Sequence, residues 1–422
     1  MLFDSPSVLQ RRKLLHMLFG SSSLLACSGL WAQTLAGSPV PAARLIVVFL
    51  RGAYDGLSAL VPYGDANYYR LRPTIAIPAP NGSTNATLAL DSQFGLHPAL
   101  APLLPLWQQG VLAAIPCAGS PDPTRSHFDA QRHWELGVPG KSSGDTGWLN
   151  TLAGMHSGTH SISVGEANPL MLAGKVPVQR VPKGLAATRQ GAVGDARTRD
   201  AVMKLYAGQD ALSQAFRAGA DSRMQTAQTL SDAMATSATS NAEMLAANNG
   251  AGSAQGLLLD AQHLGTLMTK DRNLRFGFLS AGGWDTHANQ GSVNGALAQS
   301  LASLARTLEQ LRRDFSEPDD VVLVVSEFGR TSAENGTRGT DHGHGNAMWL
   351  MGSAVQGGRW HGRWDGLEPG RLHEARDLPV HHDFRAVLAQ VLRAQWKLTP
   401  TALDTLFPGF IWDNALNGLM RA

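Results

Sequence analysis

Several segments of the sequence combine carboxylates, imidazoles and hydroxyls with glycine, a mixture that suits metal-dependent hydrolysis. The richest of them follows the stretch VVLVV at 321–325 and holds Glu327, Arg330, Asp341, His342 and His344. Carboxylate oxygens and imidazole nitrogens are common ligands of divalent metal ions. A bound ion of this kind activates a nucleophile and stabilises a developing anion. This segment is therefore the first candidate for a metal site.

Two other glycine-flanked segments hold candidate metal ligands. Asp55 lies in the turn RGAYDG, where an aspartate that only shapes the turn is the alternative. Asp285 and His287 follow a Gly-Gly pair and are two residues apart, so in an extended loop their side chains point to the same side. A capping aspartate and a surface histidine remain the alternative here.

Ser126 is the candidate nucleophile. It precedes a predicted helix at 127–136 and forms an S-x-x-D capping box with Asp129. Its hydroxyl is therefore either the helix cap or a nucleophile at a helix N-terminus, where free N–H groups favour an anion. Both interpretations stay open. Arg125 would bind an anionic group through its fixed fork of donors.

These groups follow predicted strands. Continuous apolar runs predict buried strands at 44–50, 111–115, 274–280 and 321–325. Amphipathic spacing predicts helices between them, among them 127–136 and 293–315. Strands that alternate with helices indicate an α/β fold with a mostly parallel, doubly wound sheet. The loops after such strands meet at one edge of the sheet, so we expect the candidate residues to cluster there.

The predicted α/β domain spans residues 40–422 and contains a helical insertion at about 197–262. The insertion is rich in Ala, Ser and Gln and shows helical spacing. It is either a cap over the site or a contact surface for a partner, and an envelope protein is one such partner. The sequence leaves this choice open.

Composition limits the classes of partner. The chain has 422 residues, 43% hydrophobic and 16% charged, which is enough for a large core. The whole formal net charge of +2 comes from the first 36 residues, so the rest of the chain is neutral. A neutral body gives no electrostatic reason to bind nucleic acid, and we expect no such partner.

Residues 1–36 are predicted to be an export signal rather than part of the fold. Arg11 and Arg12 precede a mildly apolar run, which is typical of a twin-arginine signal; an ordinary secretory leader is the alternative. The twin-arginine export machinery is then a partner, and the predicted location is the periplasm or the medium. Membrane attachment is expected only if Cys27, at the end of a lipobox-like LLAC, is lipidated.

Five motifs in order, RGAYDG, TRSHFDAQ, GGWDTH, EFGRT and GTDHGHG, resemble the bacterial exported domain-of-unknown-function 1501 family. Through that family the chain is similar to the alkaline phosphatase and sulfatase superfamily. This resemblance implies a three-layer α/β/α sandwich with two metal ions. It implies Asp55 and Glu327 beside the nucleophile Ser126 at one metal, and Asp285, His287 and His342 at the other.

One departure from the superfamily pattern concerns the first metal. Where the superfamily usually has Asp-His after the strand, this chain has Glu327-Phe328, and phenylalanine offers no ligand atom. His344 would then substitute from the following loop, or the first site keeps a single carboxylate. The resemblance therefore implies one or two divalent ions, with zinc, manganese and calcium as candidates.

The function predicted from these observations is exported, metal-dependent hydrolysis of a phosphate or sulfate ester. The ester is a small molecule or part of a polymer. Ser126 would attack, Arg125 or Arg330 would stabilise the anion, and the metal would lower the barrier electrostatically. The alternative is a catalytically inactive metal-binding or structural protein of the cell envelope.

Overall fold

The computed structural model describes residues 43–141, 143–166, 169–189, 196–235 and 254–421. The predicted export signal at 1–36, including Cys27, lies outside the described residues. None of the described helices is both long enough and apolar enough to cross a membrane.

The strands of the described residues alternate with helices, as the sequence pattern predicts. The strands are β1 (Leu45–Leu50), β2 (Leu60–Val61), β3 (Leu88–Ala89), β4 (Gly95–Leu96), β5 (Leu112–Gly119), β6 (His160–Val164), β7 (Val178–Val181), β8 (Leu274–Ala281), β9 (Val321–Val325), β10 (Asn346–Met351), β11 (Arg359–Trp360) and β12 (His382–Asp383). The α-helices are α1 (Gly56–Ala59), α2 (Ala66–Leu71), α3 (Leu104–Gln108), α4 (His127–Leu136), α5 (Trp148–Met155), α6 (Ala196–Leu205), α7 (Ala211–Ala235), α8 (Leu257–Lys270), α9 (Ala296–Asp314), α10 (Phe384–Trp396) and α11 (Pro400–Leu406).

The main sheet is mostly parallel. Its strand order is β11-β5-β10-β9-β1-β8-β6-β7, and β12 also pairs with β5. β10 runs antiparallel to both of its neighbours, while the other described pairings in this sheet are parallel. β2, β4 and β3 form a separate antiparallel sheet. The carboxyl ends of the parallel strands therefore share one edge, and β10 begins at that same edge.

Helices cover both faces of the main sheet because its central strands are apolar on both sides. Along β1, Ile46 and Val48 belong to one apolar cluster and Val47 and Phe49 to another. The first cluster contains residues of α8 and α9, and the second contains residues of α5 and α10. Alternate residues of a strand point to opposite faces, so one strand supplies both clusters. The predicted α/β fold with a mostly parallel sheet is confirmed.

The predicted insertion at 197–262 consists of two different parts. Helices α6 and α7 share a small cluster of their own, which includes Tyr206 and Phe216 with stacked rings. Helix α8 instead packs in the main core through residues such as Leu264 and Met268. Leu230, near the end of α7, also belongs to the main core, and the end of the predicted insertion falls inside α8.

A buried ion pair joins two strands at the edge opposite the candidate site. Arg44 precedes β1, Asp320 precedes β9, and the two side chains are 3% and 1% exposed. The Nε atom of Arg44 donates to Oδ1 of Asp320 over 2.8 Å, and a second guanidinium nitrogen donates to Oδ2. This pair holds the amino ends of the two strands together, far along the strands from the carboxyl edge.

Candidate metal centre

Three loops bring candidate ligands to the carboxyl edge of the sheet. His127 begins α4 after β5, Asp285 and His287 follow β8, and Glu327 follows β9. His342 precedes β10, which starts at this edge because it runs antiparallel. The order of the sheet thus brings together the loop after β5, the loop after β8 and the loop that joins β9 to β10.

Three residues place ligand atoms close enough to share one metal ion. One ligand atom from each of His127, Asp285 and His342 lies within 4.8 Å of the others. Among the described residues, this is the one group of three or more His, Cys, Asp or Glu side chains that could hold a metal ion. Nε2 of His127 lies 3.0 Å from Nε2 of His342. Oδ1 of Asp285 is 3.2 Å from Nε2 of His342, and Oδ2 is 3.4 Å from Nε2 of His127.

The second nitrogen of each of these imidazoles faces an acceptor. Nδ1 of His127 is 2.7 Å from Oε1 of Glu327, and Nδ1 of His342 is 2.9 Å from the backbone carbonyl of Arg125. A carboxylate and a carbonyl only accept hydrogen bonds, so both Nδ1 atoms carry the proton. The Nε2 lone pairs of two neutral rings then face each other at 3.0 Å, which repels unless a cation lies between them. Metal-binding histidines characteristically donate the N–H that faces away from the metal to a carboxylate or a carbonyl, as both Nδ1 atoms do here.

Glu327 fixes the orientation of His127. Its Oε1 atom also accepts hydrogen bonds from Gln131 over 2.9 Å and from the backbone N–H of Gly52 over 2.8 Å. Burial raises the pKa of Glu327, but these donors, with His127 foremost, outweigh it and hold the pKa below its ordinary value. The hydrogen bond to Glu327 in turn raises the pKa of His127. Gly52 has a φ of +117°, and a side chain there would collide with the backbone of Asp285.

Arg330 anchors Asp285. The fully buried guanidinium donates from Nη1 to Oδ1 of Asp285 over 2.5 Å, and from Nε to the hydroxyl of Thr340 over 3.1 Å. Partial burial raises the pKa of Asp285, but the hydrogen bond and charge of Arg330 lower it further than burial raises it. Arg330, predicted to stabilise an anion, therefore touches a ligand carboxylate. Its positive charge lies directly beside the cluster.

His287 lies at the exposed side of the cluster as a candidate fourth ligand. Its Nε2 atom is 2.9 Å from Oδ1 of Asp285 and 3.1 Å from Nε2 of His342. Its Nδ1 atom is 3.0 Å from Oδ1 of Asp341, so this ring also faces an acceptor on the side away from the cluster. His287 is 45% exposed, against 23% for His127 and 25% for His342, so it borders open solvent.

The structure does not bring Asp55 into this cluster. The carboxylate is 1% exposed and forms a two-pronged ion pair with the buried guanidinium of Arg72 at 2.5 and 3.0 Å. Ser58 and Gln290 donate to its Oδ2 atom as well, each over 2.7 Å. Burial raises the pKa of Asp55, but the charge of Arg72 outweighs it and lowers the pKa. Three protein donors reach its Oδ2 atom and one reaches Oδ1, so the contacts of the residue here are those of a buried structural ion pair.

His344 and Glu327 also differ from their predicted roles as direct ligands. The ring of His344 lies 4.5 Å from the ring of His373, and burial lowers its pKa to about 4. It is not a member of the cluster. Glu327 acts on the cluster through His127, as described above. Of the six predicted ligands, the structure assembles Asp285, His287 and His342.

Ser126 and Arg125 lie beside the cluster but are engaged elsewhere. Ser126 caps α4 by accepting a hydrogen bond from the backbone N–H of Asp129 over 3.4 Å, which is the predicted capping box. The guanidinium of Arg125 donates to Glu374 over 2.6 Å and to Asp377 over 2.8 Å. The role of Ser126 as a nucleophile stays a prediction, and so does the role of Arg125 in binding an anionic group.

Comparison with known families identifies the chain. A family described as "Protein of unknown function (DUF1501)" matches residues 42–407. The chain belongs to the DUF1501 family. The match covers all the strands of the main sheet, and the resemblance seen in the five motifs is thereby confirmed at the level of this family. No curated protein matches the chain.

Two solved structures resemble this DUF1501 protein distantly. One is the alkaline phosphatase of the Antarctic bacterium TAB5, with 11% identity and a TM-score of 0.30. The other is a variant of TAB5 alkaline phosphatase with Mg bound in its M3 site, with 11% identity and a TM-score of 0.31. Each comparison covers 74% of this chain and 90% of the other.

His127 is the residue of the site that the sequence did not single out. It stands in the motif TRSHFDAQ beside the candidate Ser126, and helical spacing marks it only as the first residue of a helix. Its partner Glu327 is 200 residues away in sequence. A histidine in the first turn of a helix that follows a sheet strand was the available signal, since such a residue lies at the carboxyl edge.

Proposed function

We propose that this DUF1501 protein is an exported, metal-dependent hydrolase that acts on a phosphate or sulfate ester. The observation that supports it best is the convergence of His127, Asp285 and His342 on one point, with both imidazole Nδ1 atoms held by acceptors. Three protein ligands leave a coordination position free, which is the arrangement of catalytic rather than structural zinc sites.

The donor set favours zinc among the predicted metals. Two imidazole nitrogens and a carboxylate form the group, and His287 adds a third imidazole beside it. Nitrogen donors suit Zn²⁺, whereas Ca²⁺ takes oxygen ligands and needs six to eight of them. Manganese remains compatible with a mixed set of this kind. Calcium, the third candidate, fits these residues least well.

The residues around the cluster would bind and orient the ester. A divalent ion here would polarise the ester oxygen and make water a nucleophile at neutral pH. Glu327 would hold His127 in place, and Arg330 would keep Asp285 charged and add positive charge beside the cluster. Water is the proposed nucleophile because the described contacts of the Ser126 hydroxyl are those of a helix cap.

A second candidate function is metal binding without turnover, and the position of His287 favours it. Its Nε2 atom is within 3.1 Å of two members of the group. If it joined them, four protein ligands would complete a tetrahedral zinc site, the closed form that structural sites have. The protein would then be a structural or assembly component of the cell envelope.

The deciding experiment compares ester hydrolysis with zinc loading of the full chain. Activity towards an aryl phosphate and an aryl sulfate should appear with zinc, vanish with a chelator and be absent in His127→Ala. His160→Ala, which removes an exposed histidine at the start of β6, is the matched control and should keep activity. Stoichiometric zinc without turnover of either ester would instead support the non-enzymatic function.

The exported location is part of the proposal. It rests on the arginine pair and apolar run within residues 1–36. Replacement of Arg11 and Arg12 by lysine should retain the protein in the cytoplasm, whereas replacement of Lys13 should not. Fractionation of cells that produce each variant measures this, and export of the paired variant would contradict the twin-arginine route.

A further inference from the structure

A short turn outside the sequence motifs contacts the backbone of His342 and the side chain of Arg125. The turn runs from His373 to Asp377, and hydrogen bonds between the backbones of these two residues close it, at 2.8 and 3.0 Å. Two of the three residues between its ends, Glu374 and Ala375, have φ values of +52° and +55°. Non-glycine residues in this region are strained, and such strain is maintained only where the surroundings fix the backbone.

Asp377 is the residue that fixes this turn. Its side chain is completely buried and forms ion pairs with two arginines. Oδ2 accepts hydrogen bonds from Arg125 over 2.8 Å and from Arg376 over 2.9 Å, and Oδ1 accepts one from Nε of Arg376 over 2.9 Å. Three hydrogen bonds on its two oxygens orient this carboxylate. Loss of either arginine would also leave part of its buried charge uncompensated.

Both arginines also form hydrogen bonds with His342. The backbone carbonyl of Arg125 accepts the hydrogen bond from Nδ1 of His342, over 2.9 Å. Nη2 of Arg376 donates to the backbone carbonyl of His342, over 2.8 Å. The imidazole of His342 and its own backbone are thus held by two residues that share one carboxylate.

We infer that Asp377 is a positioning residue for the metal site, because it binds the side chains of both residues that contact His342. It touches no ligand atom itself and acts through Arg125 and Arg376. The inference rests on the metal site of the proposed function but not on ester hydrolysis. Outer partners of metal-binding histidines characteristically change metal affinity by about 10–100-fold when they are removed.

The test uses the full chain with zinc affinity and the absorption spectrum of bound Co²⁺ as readouts. Asp377→Asn should lower zinc affinity by about 10–100-fold and shift the Co²⁺ bands, since the outer partner of a ligand changes the geometry at the metal. Asp320→Asn is the matched control. It removes an equally buried carboxylate from an ion pair at the opposite edge of the sheet.

The control separates positioning from general destabilisation. Asp320→Asn should lower the urea midpoint of unfolding while its zinc affinity and Co²⁺ spectrum remain those of the parent. Arg376→Gln, at a side chain that is 42% exposed, is a milder variant that retains the fold, and it should shift the spectrum in the same direction as Asp377→Asn.

The outcomes distinguish the two claims. If the parent protein binds zinc and both Asp377→Asn and Arg376→Gln keep its affinity and spectrum, the positioning role is overturned while the metal site stands. If the parent binds no zinc or Co²⁺, the metal site and the positioning role are both overturned.

Discussion

The Nε2 atoms of His127 and His342 lie 3.0 Å apart, although 215 residues separate the two histidines in sequence. Glu327 and a backbone carbonyl engage the opposite nitrogens, so neither Nε2 atom carries a proton in the neutral rings. A metal ion or a bridging proton is needed between them. The raised pKa of His127 means that a proton competes with the metal, so metal binding should release protons.

Glu327→Gln tests whether the outer carboxylate matters for the metal. We expect zinc affinity to fall by about 10–100-fold, because glutamine cannot supply the charge that orients and polarises His127. Competition with a chelating dye measures the affinity. Glu135→Gln is the control. Glu135 is a buried glutamate of α4, the helix that begins with His127, and it binds Arg51, so its replacement should leave the affinity unchanged.

Asp55→Asn separates the fold from the site. The variant should lose about 3 kcal/mol of unfolding free energy, since it leaves the buried guanidinium of Arg72 without its counter-charge. Its zinc content should equal that of the parent. Urea unfolding and metal analysis measure the two quantities, and loss of zinc from a variant with parental stability would restore Asp55 to the ligand set.

Ser126→Ala tests the nucleophile. We expect the loss of about 1 kcal/mol of stability that is typical of a removed N-cap. Zinc content should be unchanged, and ester hydrolysis should stay within a few-fold of the parent because water attacks. A zinc-loaded variant without activity would contradict the attack by water and identify Ser126 as the nucleophile that the sequence predicted.

His263→Leu concerns stability and its dependence on pH. His263 in α8 is 2% exposed, and its two ring nitrogens have no hydrogen-bond partner among the described residues. Burial lowers its pKa to about 4, from an ordinary value of 6.5. The folded state therefore resists protonation, and the parent loses stability as the pH falls from 6.5 towards 4.

The leucine variant lacks this titration. It should be more stable than the parent by about 1–2 kcal/mol at pH 7.5, because two unpaired buried groups are removed. The difference should widen by up to about 3 kcal/mol as the pH falls towards 4. Urea unfolding at pH 7.5, 5.5 and 4.5 measures it, with His160→Gln as a control for the loss of an imidazole. A difference that is constant or shrinks with falling pH would refute the explanation.

The sequence predicted the frame of the site well because local patterns determine it. The valine run gives β9 at the predicted residues, helical spacing gives α4 at 127–136, and Ser126 caps the helix that it precedes. Strand ends at a common edge then follow from the sheet order. Asp285, His287 and His342 meet for this reason.

The partners of each side chain could not be predicted in the same way. Asp55 follows its strand as a ligand would, but Arg72 is available to it in the fold and neutralises it. The pairing of Glu327 with His127 and the contact of Asp377 with Arg125 join residues at least 200 positions apart. Such contacts depend on the packing of loops, which no periodicity in the sequence encodes.

The most direct test of the central claim is the metal content of the purified full chain. After incubation with zinc and removal of the excess, the protein should retain about one zinc ion per chain, the number that one tetrahedral site holds. His127→Ala and His342→Ala should each lose it, and His160→Ala should keep it. A parent chain that retains no zinc, or retention that is equal in all three variants, would contradict the account.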